Sequence, residues 1–155
     1  MAEVHSTAIV EAGAELDTEV SVGPYAIIGA NVRVGARTCV GSHTILEGWS
    51  EIGPDCQIGS HVIIGACSAA LQDIPSYVKV QGNRAKPFGL NVVGLRRHGV
   101  SREALQALKE AYRLFFESEL NTSQALEQVT IGGGALTEVQ RFIEFIQRSR
   151  RGISK

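Results

Sequence analysis

Two histidines, His43 and His61, lie 18 residues apart in the sequence. An imidazole can abstract a proton from a hydroxyl group near neutral pH, particularly when an acidic group orients the ring. The pair is therefore a candidate for general-base catalysis. No carboxylate recurs beside either ring, so an exposed or intersubunit position is the favoured alternative. Two ligands at one spacing do not close a coordination shell, and no metal site or other cofactor is predicted.

A basic stretch follows in the second half of the chain, at Arg84, Lys86, Arg96 and Arg97. Guanidinium groups recognise phosphate through paired hydrogen bonds, so the stretch is a candidate anion-binding site. The alternative is that these side chains cap helices and coat the surface. Residues 1–80 carry three basic and nine acidic side chains, whereas residues 81–155 carry twelve basic and seven acidic ones.

Composition excludes several classes of protein. The 155 residues have a net charge of −1, with 44% hydrophobic and 20% charged residues, which argues against a disordered chain and against an electrostatic binder of nucleic acid. No apolar run reaches the length of a membrane span, and the N-terminus has no signal-peptide pattern. We therefore expect a cytoplasmic protein. The three cysteines form no C-x-x-C pair, and reduced, buried thiols are expected.

A strict period of six residues organises the first half of the chain. Eleven successive aliphatic residues recur at this spacing, and a small or β-branched residue follows four positions after each one. Neither an α-helix nor a plain strand has this period. The aliphatic positions are Val4, Val10, Leu16, Val22, Ile28, Val34, Val40, Leu46, Ile52, Ile58 and Ile64.

Six residues suit a short strand and a turn, repeated three times per coil of a three-sided prism. The period thus predicts a parallel β-helix of hexapeptide repeats, with about three and a half coils spaced by about 4.8 Å. Counting the aliphatic residue as the first position of each hexad, His43 and His61 both occupy the fourth position. They are expected to stack on adjacent coils of one face.

The chain then changes character. Residues 71–100 contain two of the four prolines and predict a loop that crosses out of the coil. Helices are predicted over 102–117, capped by Ser101, near 122–129, and over 138–150 behind a capping box at Thr137 and Gln140. The predicted organisation is a β-helix over 1–70, a crossing loop over 71–100 and a small helical domain over 101–155.

Several motifs resemble one known family, the bacterial acyl-[acyl carrier protein]–UDP-N-acetylglucosamine O-acyltransferases. The resemblance rests on the hexads and on segments 72–77, 81–83, 88–91, 94–99, 101–103 and 148–152. It implies a mainly β fold with α-helices, a left-handed parallel β-helix followed by a C-terminal helical domain, assembled as a cytoplasmic homotrimer. It also implies transfer of an acyl chain from acyl carrier protein to the 3-hydroxyl of UDP-N-acetylglucosamine, the first step of lipid A biosynthesis.

The same resemblance implies substrate-binding roles for Asn91 and Arg97, with Arg96 and His98 beside them. The sequence departs from the family at Val93, where relatives often have an acidic residue, and at His98, where they have an arginine. It also lacks the middle coils of the β-helix and, with them, the His-Asp-Cys stretch whose third-position histidine is the family's general base.

None of the third-position residues of this chain can replace that base; they are Ser6, Ala12, Thr18, Pro24, Ala30, Ala36, Ser42, Gly48, Pro54, Ser60 and Ala66. Three functions follow as alternatives. The first is the family's acyl transfer, with His43 or His61 as a substitute base. The second is a catalytically impaired trimeric scaffold that binds nucleotide sugar or carrier protein. The third is a different hexapeptide transferase, which the loop and helix motifs disfavour.

Overall fold

Twelve two-residue strands form the first half of the molecule in a computed structural model that describes residues 1–155. Each hexad contributes one strand, made of its last residue and the aliphatic residue that opens the next hexad. The strands are β1 Glu3–Val4, β2 Ile9–Val10, β3 Glu15–Leu16, β4 Ser21–Val22, β5 Ile27–Ile28, β6 Arg33–Val34, β7 Cys39–Val40, β8 Ile45–Leu46, β9 Glu51–Ile52, β10 Gln57–Ile58, β11 Ile63–Ile64 and β12 Ala69–Ala70.

The strands stack into three parallel sheets, one for each side of a prism. Their orders are β1-β4-β7-β10, β2-β5-β8-β11 and β3-β6-β9-β12, so each strand pairs with the strand one coil away. The register joins residues 18 apart, for example Ile28 with Leu46 and Val22 with Val40. The predicted fold class, a left-handed parallel β-helix with C-terminal helices, is confirmed, with about four coils.

The interior of the prism holds the first and fifth positions of the hexads. Ile28, Leu46 and Ile64 are fully buried, as are the fifth-position residues Val20, Ala26, Val32, Thr38, Thr44, Cys56 and Val62. The two threonines keep their hydroxyls satisfied, because each donates a 2.7 Å hydrogen bond to the carbonyl of a glycine in the next coil. Of the cysteines, Cys56 is buried as expected, whereas Cys67 is exposed.

The fourth position of each hexad makes the corner. Nine consecutive hexads have a non-glycine residue there with φ between 55° and 61°, from Glu19 to Cys67. The glycine at the second position has a different task, which Gly59 illustrates. A Cβ on Gly59 would lie 2.4 Å from the main-chain nitrogen of Ser76, so the spacing between coils excludes a side chain.

Residues 71–100, for which a crossing loop is predicted, contain two further strands and a short helix. Strand β13, Val78–Gln81, extends the second sheet by pairing in parallel with β11, and β14, Lys86–Leu90, returns antiparallel to β13. Helix α1, Val92–Arg97, follows directly. The segment therefore caps the end of the β-helix with a hairpin before the chain continues into the helices. The proline content did not predict this hairpin.

Three helices complete the chain: α2 Arg102–Phe116, α3 Thr122–Gly133 and α4 Thr137–Arg148. Ser101 caps α2 as predicted, accepting a hydrogen bond from the Ala104 amide. The capping box expected at Thr137 is wrong, because Thr137 is itself helical and the N-cap, Leu136, makes no side-chain bond. The box lies instead at Asn121 and Gln124, at the start of α3.

The buried faces of α2 and α4 are those that the sequence predicted: Leu105, Leu108, Tyr112, Phe115, Val139, Phe142, Ile143 and Ile146. These side chains continue the hydrophobic core of the β-helix into the helical part. None of the helices is both long enough and apolar enough to cross a membrane.

Candidate functional site

A ladder of aromatic rings runs along one corner of the β-helix. The ring of Tyr25 stacks on His43 with centroids 5.0 Å apart, and His43 stacks on His61 at 4.9 Å. Tyr77 continues the ladder beyond His61 at 5.8 Å. Because the corner residue of each coil points outward in the same direction, an 18-residue spacing places these rings one above another. The predicted stacking of His43 on His61 is confirmed.

Helix α1 is held against this corner by Asn91. The Asn91 Oδ1 accepts a 3.0 Å hydrogen bond from the Gly94 amide, and its Nδ2 donates a 3.0 Å bond to the His61 carbonyl. A Cβ on Gly94 would lie 2.4 Å from Asn91 Nδ2, so only glycine lets the cap close. The helix then ends at His98.

His98 completes a group of three rings. Its centroid lies 4.2 Å from that of His43 and 4.5 Å from that of His61, and its plane is inclined by 69° and 89° to theirs. The sequence associated His98 with the substrate-binding segment, not with the two histidines of the corner. No spacing rule could join them, because the contact depends on how α1 packs on the coil.

A groove of about 290 Å³ lies between this corner and α1. Five of the predicted site residues line it: His43, His61, Asn91, Arg97 and His98. Arg97 and His98 are exposed, whereas Asn91 is 8% exposed and both ends of its amide are already bonded. The exposed Arg96 does not line the groove.

Burial shifts the two stacked histidines of the corner toward their neutral forms. Burial, reinforced by positive charge at His98, His43 and Arg141, lowers the pKa of His61 to about 4. Burial and then His98 also lower the pKa of His43 below its ordinary value. No carboxylate contributes to either shift, so neither ring has the acidic partner that would strengthen it as a base.

A second cleft, of about 490 Å³, lies between the β-helix and α4. His61 and Tyr77 line it from the coil, and Arg141 and Arg148 line it from the helix. Asp73 forms part of its wall, where its carboxylate accepts hydrogen bonds from the main-chain N–H of Gln57 and from the Ser149 hydroxyl. The sequence did not predict this cleft, since nothing in the helix pattern shows which coil α4 faces.

Comparisons with known proteins place this architecture. The family profile of UDP-N-acetylglucosamine O-acyltransferase, domain 2, matches residues 73–154, which is more than half of the chain. The matched range includes α1 and with it the groove residues Asn91, Arg97 and His98. LpxA from Acinetobacter baumannii is 25% identical, with a TM-score of 0.73 over 98% of this chain and 99% of that one.

Two further solved structures share the fold. LpxA from Bacteroides fragilis, a UDP-N-acetylglucosamine acyltransferase, is 21% identical with a TM-score of 0.73, over 99% of this chain and 86% of that one. The UDP-N-acetylglucosamine acyltransferase of Arabidopsis is 19% identical with a TM-score of 0.59, over 99% and 98% of the two chains. The two structures show the shared fold, and the profile match shows that the chain belongs to the UDP-N-acetylglucosamine O-acyltransferase family, in a shortened form.

Proposed function

We propose that the chain binds UDP-N-acetylglucosamine and an acylated acyl carrier protein, and transfers the acyl group to the sugar 3-hydroxyl. This reaction is the first step of lipid A biosynthesis, and we place it in the cytoplasm. The observation that carries the proposal is the groove beside α1. It lies partly within the segment that matches the family profile and presents Arg97 next to the histidine cluster.

The nucleotide is assigned to the groove because of the charge and exposure of Arg97. Its guanidinium is exposed and suits a diphosphate through paired hydrogen bonds. Asn91 also makes one hydrogen bond from each end of its amide, one that caps α1 and one to the His61 carbonyl. Besides the substrate contact that the resemblance implies, we therefore assign Asn91 the task of holding α1 in position.

The carrier protein is proposed to approach the second half of the chain. Residues 81–155 carry a net charge of +5, and acyl carrier proteins are acidic, so the two surfaces attract each other. The exposed basic side chains of Arg84 and Lys86 lie on and next to the hairpin that caps the β-helix. This region is the proposed docking surface.

A homotrimer is proposed because one side of the prism is apolar on its outer face. The second sheet directs four isoleucines outward in register, Ile9, Ile27, Ile45 and Ile63, of which the last three also line the groove, so that subunit contact would border it. The equivalent residues of the first sheet are Glu3, Ser21, Cys39 and Gln57. A continuous apolar stripe of this kind calls for a protein partner, and a second copy of the chain provides a matching one.

Of the steps in the proposed reaction, deprotonation of the sugar hydroxyl is the one that these residues support least. The Nδ1 atom of His61 is buried without a hydrogen-bond partner, so no acidic group orients this ring for proton transfer. A base with a pKa of about 4 also has little driving force to deprotonate a sugar hydroxyl. This observation favours a second candidate function, a trimeric scaffold that binds nucleotide sugar or carrier protein without turnover.

Acyl transfer and UDP-N-acetylglucosamine binding, measured on the same preparation, separate these functions. Arg97→Ala is expected to weaken nucleotide binding, whereas Arg96→Ala, on the same helix but outside the groove, is the matched control. Turnover that disappears in His61→Ala or His43→Ala supports acyl transfer with a substitute base. Nucleotide binding with background turnover supports the scaffold, and the absence of both binding and turnover overturns the two proposals together.

A further inference from the structure

Three imidazole rings meet at the corner of the β-helix, from parts of the chain that are far apart in sequence. One nitrogen from each of His43, His61 and His98 can be chosen so that all three lie within 4.8 Å of one another. The first two rings are half-buried and the third is exposed. Convergence of three imidazole rings is unusual for a purely structural contact, because the ring nitrogens need hydrogen-bond partners or a ligand that packing alone does not supply.

The clearest sign of an unmet requirement is at His61. Its Nδ1 atom is buried and has no hydrogen-bond partner. A buried polar atom without a partner costs about 1–3 kcal/mol, so native proteins rarely leave one. The charged groups that act on this ring are His98, His43 and Arg141, and none of them is an acid that could bond it.

We propose that His43, His61 and His98 bind one divalent transition-metal ion per chain, with zinc as the preferred ion. Imidazole is a common zinc ligand, and three histidines would leave a fourth tetrahedral position for another ligand. The site goes beyond the proposed function, which needs no metal ion.

The geometry requires a modest adjustment of the side chains. With Zn–N distances of about 2.0–2.1 Å, nitrogens at the corners of a tetrahedron are about 3.4 Å apart. The three nitrogens therefore have to approach by up to about 1.4 Å, which requires rotation about the side-chain torsions. His98 is exposed at the end of α1, so its ring has the most room to turn.

The three rings line the same groove as the exposed Arg97. An anionic group that completed the coordination of the ion would therefore find a guanidinium in the same groove.

The test is a zinc titration of the full chain, without an affinity tag and after removal of metal by a chelator. We expect one zinc per chain by calorimetry, and visible absorption bands typical of tetrahedral coordination when Co²⁺ replaces zinc. His98→Ala and His61→Ala are each expected to weaken zinc binding about tenfold or more. His5→Ala is the matched control, since His5 is exposed and its ring bonds Thr7 instead.

One further variant and the exposure of His98 keep the result unambiguous. Cys67→Ser removes the exposed thiol and is expected to leave zinc binding unchanged. His98→Ala alters an exposed side chain, so circular dichroism is expected to show a folded protein even if His61→Ala unfolds. Absence of zinc binding to the wild type, wild-type affinity in His98→Ala, or loss of binding in Cys67→Ser would each overturn the proposal. None of these results depends on nucleotide binding or acyl transfer.

Discussion

The side-chain amide of Asn91 donates a 3.0 Å hydrogen bond to the main-chain carbonyl of His61. One side chain thereby joins the first turn of α1 to the corner of the β-helix that carries the stacked rings. Its other end caps the same helix through the Gly94 amide. The position of His98 against His43 and His61 depends on this link, because His98 ends the helix that Asn91 begins.

Replacement of Asn91 by alanine is expected to destabilise the protein by about 2–3 kcal/mol, because it removes a helix cap and leaves the His61 carbonyl without its donor. Denaturant unfolding at a fixed protein concentration measures this loss. Asn121→Ala is the matched control, since Asn121 is exposed and only caps α3, and it is expected to cost about 1 kcal/mol. Equal losses in the two variants would contradict the bridging role of Asn91.

A pair of glycine substitutions tests the spacing between coils. Gly59→Ala is expected to cost about 2–3 kcal/mol, because the new Cβ would lie 2.4 Å from the Ser76 nitrogen and 2.6 Å from its Cα. Gly132→Ala is the control on α3, where no atom lies within 4 Å of the new Cβ, and it is expected to stabilise the protein by about 0.5–1 kcal/mol. Thermal or denaturant unfolding separates the two, and a neutral Gly59→Ala would show that the coils can move apart.

Much of the fold follows from one regularity of the sequence. The period of six determines which side chains face inward, and Ile28, Leu46 and Ile64 lie where it predicts. The hairpin of β13 and β14 was not predictable, because its pairing partner β11 is set by the preceding coil and not by a local pattern. The misplaced capping box has a similar cause: the motif at Thr137 is present, but the helix begins at that residue.

The candidate site likewise has one part that the sequence predicted and one part that it did not. The stacking of His43 on His61 follows directly from their 18-residue spacing, and Tyr25, a further 18 residues upstream, carried the same signal. The third ring, His98, joins them through tertiary packing of α1, for which the sequence contains no distance information. The commitment of the Asn91 amide to two hydrogen bonds is likewise visible only once α1 is placed.

The ion pair between Arg37 and Asp55 predicts a pH effect. The Arg37 guanidinium donates two hydrogen bonds, of 2.6 and 2.8 Å, to the Asp55 carboxylate on the next coil. These bonds hold the pKa of Asp55 below its ordinary value of 3.8. A lowered folded-state pKa means that the stabilisation is present above pH 3.8 and is lost as the pH falls through the lower, folded value.

Arg37→Ala is therefore expected to raise the pKa of Asp55 and to weaken the acid dependence of stability below about pH 4. Carboxyl chemical shifts followed by NMR during an acid titration measure the first effect, and thermal unfolding at several pH values measures the second. Arg33→Ala, which breaks the pair with Glu15 on another side of the prism, is the control. An unchanged Asp55 titration in Arg37→Ala would show that the pair does not persist in solution.

The last prediction concerns the apolar side of the prism. If the isoleucine stripe is the contact between subunits, Ile45→Lys places a charge in its centre and is expected to dissociate the proposed homotrimer. Ser21→Lys, at the same strand position on the first sheet, is the matched control and is expected to leave assembly intact. Sedimentation velocity distinguishes the 16.6 kDa chain from an assembly of three times that mass.

The single tryptophan provides a second measurement of the same event. Trp49 occupies the outward fourth position of its hexad and is 72% exposed in one chain. An exposed indole there predicts that subunit contact covers it. Its fluorescence is therefore expected to shift to longer wavelength in Ile45→Lys, as water reaches the indole, and to stay unchanged in Ser21→Lys. A wild-type chain that sediments as a monomer at micromolar concentration contradicts the trimer. A trimer that survives Ile45→Lys shows instead that the subunits meet through another side of the prism.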